Sequence, residues 1–96
     1  MVDYNLVFDL FCWFENTESI WKRGEWCANA LAKKIRRGLV PDINYLASCS
    51  TVKTIARETI REYRKHINAV KPDKENRAAL EMKIAERILD YANDLA

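Results

Sequence analysis

The chain has 96 residues, of which 49% are hydrophobic and 10% aromatic, with only two glycines and two prolines. This composition predicts one folded domain over residues 1–96, excludes a disordered segment, and argues against an all-β fold, which needs more turn-forming residues. The net charge is only +2, but twelve of the sixteen basic residues lie in residues 21–71 and both ends are acidic. This layout predicts either an anion-attracting surface in the middle of the chain or neutralisation of the middle by the two ends within the fold.

The first apolar segment, Tyr4 to Phe14, is hydrophobic on nearly all sides, so its periodicity does not separate a helix from a strand. Because no other segment offers a strand to pair with it, we predict a helix at about residues 3–14. The segment is well short of the roughly 20 apolar residues that cross a membrane, and Asp3 and Asp9 stand where a signal peptide carries bases. We therefore expect a cytoplasmic protein without a membrane partner.

A long helix is predicted at about residues 17–37, because Thr17 suits a helix N-terminus and Gly38 suits the residue after its end. Its apolar positions recur at helical spacing and define a core stripe of Ile20, Gly24, Cys27, Ala28, Leu31 and Ile35. The opposite face is basic and carries Lys22, Trp26, Asn29, Lys33, Arg36 and Arg37. Trp26 is either a buried residue that packs under the N-terminal segment or an exposed interface residue that contacts a partner.

A second long helix is predicted at about residues 50–70, and residues 42–48 are expected to add a single helical turn before it. The apolar positions of this helix keep helical spacing for five turns, and they are Val52, Ile55, Ala56, Thr59, Ile60, Tyr63, Ile67 and Val70.

The polar face of this helix separates the two signs of charge. One edge is a basic ridge about 16 Å long, formed by Lys53, Arg57, Arg61 and Arg64. Glu58 and Glu62 occupy the other edge. The ridge is either a solvated helix face, supported by weak pairs of Glu58 with Arg61 and of Glu62 with His66 or Lys65, or a surface for phosphates or for an acidic strip on another protein.

The last helix is predicted at about residues 74–94, with Asp73 as its N-cap. It carries two apolar rows, the first with Leu80, Ile84, Ile88, Tyr91 and Leu95, and the second with Ala78, Met82, Ala85, Leu89 and Ala92. One row serves the core, and the second is expected to meet either the N-terminal segment or another molecule. For a homodimer, the candidate contact residues are Met82, Ala85 and Leu89. The sequence therefore predicts an all-α fold, a small bundle of about four helices.

The sequence offers few side chains that could act in catalysis. His66 is the single histidine, and a pairing with Glu62 is common on helix surfaces. Cys12, Cys27 and Cys49 are isolated from one another, as expected of reduced thiols, and a nucleophile pair of Cys27 or Cys12 with His66 has no local support. No phosphate loop, nucleophile elbow or metal motif is present. We expect no enzyme activity, no metal and no cofactor.

These features favour a non-enzymatic interaction protein that binds, and modulates or inhibits, a partner macromolecule, most simply another protein. The alternative is a nucleic-acid-binding protein that uses the basic residues of the two long helices. Compact helical proteins of this size and mixed charge are common among phage and mobile-element accessory proteins, an analogy of size class only. The residues expected to contact a partner are Trp26, Lys33, Arg36, Arg37, Lys53, Arg57, Arg61 and Arg64.

Overall fold

The computed structural model describes all 96 residues and confirms the all-α fold. Its five helices are α1 (Tyr4–Asn16), α2 (Glu18–Arg36), α3 (Ile43–Ser48), α4 (Ser50–His66) and α5 (Lys74–Leu95). The N-terminal segment is helical, as predicted, and the expected single turn before α4 is a short helix of its own. None of the five helices combines the length and the apolar character needed to cross a bilayer.

Helix α5 is the centre of the bundle, because it packs against each of the other four helices. This position accounts for its two apolar rows. Ile84 and Ile88 of the first row are buried, and so are Ala85 and Ala92 of the second. Both rows are therefore largely covered within one chain, by more elements than the N-terminal segment alone.

Helix α1 places Val7, Leu10 and Phe14 in the core, at the spacing of three and four residues that defines one helix face. The Phe14 ring meets the ring of Trp21 edge-on, with centroids 5.6 Å apart. At the start of the helix, the backbone N–H of Asp3 donates to Oδ1 of Asn76 at 2.7 Å. The N-terminal helix therefore covers Trp21, and it is tied to the first turn of α5.

The two predicted helix ends with the clearest local signals are confirmed. Gly38 has φ of 101°, its N–H donates to the carbonyl of Ile35 at 2.9 Å, and the N–H of Leu39 donates to the carbonyl of Lys34 at 3.1 Å. This is the Schellman arrangement, which needs a left-handed residue at the position of Gly38. At the start of α5, the Asp73 carboxylate accepts the N–H of Asn76 at 2.9 Å.

The predicted end of α4 is wrong, because the helix stops at His66 rather than near residue 70. Ile67 and Val70, predicted as core positions, are 59% and 55% exposed. The connection to α5 supplies its own hydrogen bonds: Asn68 Oδ1 accepts the N–H of Val70, and Nε of Arg64 donates to the carbonyl of Ala69. Asn favours turns of this kind. Side-chain hydrogen bonds of Asn68 and Arg64 to the backbone therefore replace the backbone hydrogen bonds that a longer helix would form.

The charges of α4 are separated because its two edges face different neighbours. On the acidic edge, Glu58 pairs with Arg23 of α2 at 2.9 Å rather than with Arg61 as predicted. Glu62 pairs with His66 at 3.2 Å, as predicted. The His66 ring also stacks on the Trp13 ring of α1, with centroids 6.0 Å apart. The basic edge is left on the side of α5.

Candidate functional site

Trp26 lies at the surface of the bundle with 75% of its side chain area exposed. The interpretation of Trp26 as a buried residue that packs under the N-terminal segment is therefore wrong. The physical reason is that α1 approaches α2 one turn earlier, where Trp21 packs between Phe14 and Tyr91. Trp26 falls beyond that contact, on the side of α2 that faces α3 and the start of α4.

An aromatic cleft of about 580 Å³ opens beside Trp26, between α2, α3 and the segment that joins them. Val40 and Tyr45 are 87% and 75% exposed, and nine of the thirteen lining residues are hydrophobic. The aromatic cleft is lined by Trp26, Cys27, Ala30, Leu31, Lys34, Leu39, Val40, Pro41, Asp42, Tyr45, Leu46, Cys49 and Thr51. Three large side chains thus project from different elements around one cavity.

The local sequence explains why these apolar groups stay at the surface. Gly38 ends α2 and turns the chain out of the helix. Pro41 then restricts Val40 to an extended conformation, and Asp42 starts α3 by accepting the N–H of Asn44 at 2.9 Å. Within α3, Ala47 is buried while Tyr45 points outward. Val40, in the extended connection, and Tyr45, on the outer face of α3, therefore both lie at the surface.

The charged residues that line the aromatic cleft are one base, Lys34, and one acid, Asp42. On the other side of Trp26 lies a second depression of about 430 Å³, whose lining includes Lys22 and Arg23. Both of these bases are paired, Lys22 with Glu18 at 3.2 Å and Arg23 with Glu58 at 2.9 Å. Trp26 therefore lies between two depressions whose charges are largely balanced.

Cys27 and Cys49 both line the aromatic cleft. Burial, and to a smaller degree the neighbouring Cys49, raises the pKa of the Cys27 thiol above its ordinary value, while Lys34 acts in the opposite direction. A raised pKa keeps the thiol protonated, which is the reverse of nucleophile activation. His66 lies fifteen residues along α4 from Thr51 of the cleft, or about 22 Å. Cys27 and His66 therefore do not form a pair.

The raised pKa of Cys27 should move the alkylation of this thiol to higher pH. In a series of pH values, the rate of its reaction with iodoacetamide is expected to reach half its maximum above the ordinary thiol value of 9.0, because only the thiolate reacts. Mass spectrometry of the Cys27 peptide measures the rate. The same series in concentrated guanidinium is the control, where unfolding should return the midpoint to the ordinary value. A native midpoint at or below the unfolded one would contradict the burial of this thiol.

A basic groove of about 650 Å³ lies between α4 and the first turns of α5. Seven of its twelve lining residues are basic, and one, Glu81, is acidic. The basic members are Lys53, Arg57, Arg61, Arg64, Lys71, Lys74 and Arg77, and the remaining lining residues are Ala56, Ile60, Pro72 and Ala78. The whole predicted ridge of α4 thus forms one wall of a groove, and α5 with the segment before it forms the other.

The structure divides the predicted partner-binding residues into three groups. Trp26 belongs to the aromatic cleft, and the four bases of the α4 ridge belong to the basic groove. Lys33, Arg36 and Arg37 are exposed at the end of α2 and line neither cavity. Their positive charges lie at the C-terminal end of α2, where they complement the helix dipole. This effect explains the three bases without a bound partner.

Several site residues were not singled out from the sequence. Val40 and Tyr45 lie in and beside a connection, where helical periodicity gives no signal. Lys71, Lys74 and Arg77 lie outside the ridge of α4 in the sequence. Only the packing of α5 against α4 brings those three to the ridge.

Of the three residues predicted for self-association, one is buried inside the monomer and two are half-buried. Ala85 is fully buried by the chain's own helices, out of reach of a second copy. Met82 and Leu89 are half-buried, and Met82 packs against the same core. The correction follows from the central position of α5, and self-association through Met82 and Leu89 stays a prediction.

Comparisons of the chain with protein-family models, with curated proteins and with solved structures found no match.

Proposed function

We propose that this chain is a non-enzymatic interaction protein that holds an apolar segment of a partner protein in the aromatic cleft, and modulates or inhibits the partner by occupying that segment. The observation that carries the proposal is the joint exposure of Trp26, Val40 and Tyr45 around one cavity. A small monomer seldom leaves a contiguous apolar patch of this kind in water unless the patch serves an interface.

The chemistry of the aromatic cleft suits a protein segment. Trp and Tyr are the residues most enriched among interface anchors, because they bury a large area with few rotatable bonds. Trp26 and Tyr45 supply that area from two different helices, and Leu31 and Leu46 form partly buried apolar surface in the same cavity. An apolar cavity with a few charged groups at its rim is the usual form of a binding site.

The charges around Trp26 balance one another. Lys22 is paired with Glu18 and Arg23 with Glu58, and the aromatic cleft itself is lined by one base, Lys34, and one acid, Asp42. Complementary charge speeds encounter and fixes orientation more than it adds affinity. The proposed segment therefore presents apolar side chains to the aromatic cleft, and its binding depends on those contacts rather than on net charge.

The proposal is tested by capture of the partner with a Trp26→Ala variant. Trp26→Ala is expected to weaken capture by roughly 30-fold or more, since anchor residues contribute about 2 kcal/mol or more. The fold should survive, because Trp26 is mostly exposed. The measurement is quantitative mass spectrometry of proteins retained from native lysate, with a melting curve for each variant.

Tyr4→Ala provides the matched control, because Tyr4 is an equally exposed aromatic residue on α1, outside the aromatic cleft. It should retain the same partner as the wild type. Equal retention by wild type and Trp26→Ala, or equal loss in both variants, would contradict the proposal.

A further inference from the structure

We infer that the basic groove is a second binding site, for the phosphate backbone of a nucleic-acid duplex, separate from the aromatic cleft. The observation that points to it is uncompensated charge. Six of the seven bases in the groove form no ion pair within the chain, namely Arg57, Arg61, Arg64, Lys71, Lys74 and Arg77.

The number of bases gathered in one cavity distinguishes the basic groove. The two depressions beside Trp26 are lined by two bases and by one, and Arg23 and Arg87 each meet a carboxylate on another helix at 2.9 Å. In the basic groove, the single carboxylate, Glu81, lies 3.5 Å from Lys53, and Arg64 donates Nε to the carbonyl of Ala69 at 3.1 Å. Like charges held side by side repel one another, so the arrangement lowers stability unless an anion neutralises it.

The walls of the basic groove favour phosphates over an acidic protein. Three of its twelve lining residues are hydrophobic, and two of them, Ala56 and Ile60, are only 2% and 8% exposed, so neither offers an anchor. No aromatic side chain lines the groove, although protein interfaces depend on buried aromatic and apolar anchors. What the groove does offer is four guanidinium groups and three ammonium groups, and both kinds of donor bind phosphate oxygens well.

The same lining favours a duplex over a single strand. Proteins bind single strands by stacking bases on aromatic side chains, and the basic groove has none. Its bases project from fixed helical positions, and the ridge from Lys53 to Arg64 is about 16 Å long. That length matches about five successive phosphates of one strand along a duplex axis. Contacts with the backbone alone carry no sequence information, so binding should not depend on sequence.

The test measures the anisotropy of a labelled DNA duplex of about 20 base pairs while the full chain is added at about 50 to 200 mM salt. The wild type should bind with a slope of log affinity against log salt of about −4 to −5. A triple variant, Arg57→Gln, Arg61→Gln and Arg77→Gln, should weaken binding at least about 30-fold and reduce that slope by about 3, since each lost phosphate contact removes about one.

The control removes the same charge elsewhere, with Lys33→Gln, Arg36→Gln and Arg37→Gln at the end of α2. This triple should keep most of the affinity and the slope. Equal losses in both triples would overturn the inference, because they would indicate general attraction rather than a groove. Failure to bind the duplex at the lowest salt would also overturn it, as would tighter binding of a single strand or of polyglutamate.

The two proposals are separated by one further variant. Trp26→Ala should bind the duplex as the wild type does, because Trp26 does not line the basic groove. Loss of duplex binding in Trp26→Ala would contradict the inference that the two sites are separate. The capture experiment tests the aromatic cleft independently of duplex binding.

Discussion

Replacing Phe14 by alanine is expected to lower the free energy of unfolding by about 3 to 5 kcal/mol, the range measured for buried aromatic residues. Phe14 is fully buried, and its ring lies between the rings of Phe11 and Trp21, with centroids 5.9 and 5.6 Å away. These large neighbours cannot collapse into the space that the ring leaves, so a cavity remains. Urea unfolding followed by circular dichroism measures the loss.

Phe8→Ala is the matched control, because Phe8 lies on the same helix but is mostly exposed. It should cost less than about 1 kcal/mol, as surface substitutions do. Similar losses for the two phenylalanines would contradict the assignment of Phe14 to the core.

Gly24 gives a second test of the same packing. A Cβ added at Gly24 would lie 3.0 Å from Cζ of Phe14 and 3.2 Å from Cε1, so Gly24→Ala overpacks the core and opposes the helix-propensity gain of about 1 kcal/mol. In the Phe14→Ala background the obstacle is gone, and Gly24→Ala should stabilise the protein. The double-mutant cycle should therefore give a coupling of at least about 1 kcal/mol.

Ala85→Glu should destabilise the protein by at least about 3 kcal/mol, because it buries an unpaired carboxylate in the centre of the bundle. Ala85 is fully buried on the second apolar row of α5. Ala78→Glu is the control, since Ala78 lies two turns earlier on the same row and is exposed. It should leave the melting temperature within a few degrees of the wild type. Equal tolerance of both glutamates would contradict the central position of α5.

Much of the fold followed from local signals in the sequence. Gly38 and Asp73 marked helix ends because each satisfies backbone groups within a few residues of itself. The two rows of α5 indicated a helix with more than one neighbour. The end of α4 was wrong because the apolar spacing continued through Ile67 and Val70, and periodicity does not register that a chain must turn back towards its next helix.

The candidate sites were less predictable, because both are assembled by packing. The position of Trp26 among bases was visible, but its exposure depended on α1 covering Trp21 instead. The basic ridge of α4 was visible as well. The sequence does not show that Glu58 pairs with α2 rather than with the ridge. It also does not show that α5 brings Lys74 and Arg77 to the opposite wall of the groove. Distances between helices are not encoded in the spacing within any one helix.

The central claim is that a partner occupies the aromatic cleft, and the most direct test is the alkylation of the chain in cells that express it natively. Cys27 and Cys49 line the aromatic cleft, whereas Cys12 is a half-buried thiol on α1. In cells, labelling of Cys27 and Cys49 relative to Cys12 should fall severalfold below the ratio measured for the isolated chain. An unchanged ratio, with Cys12 labelled normally, would contradict the claim.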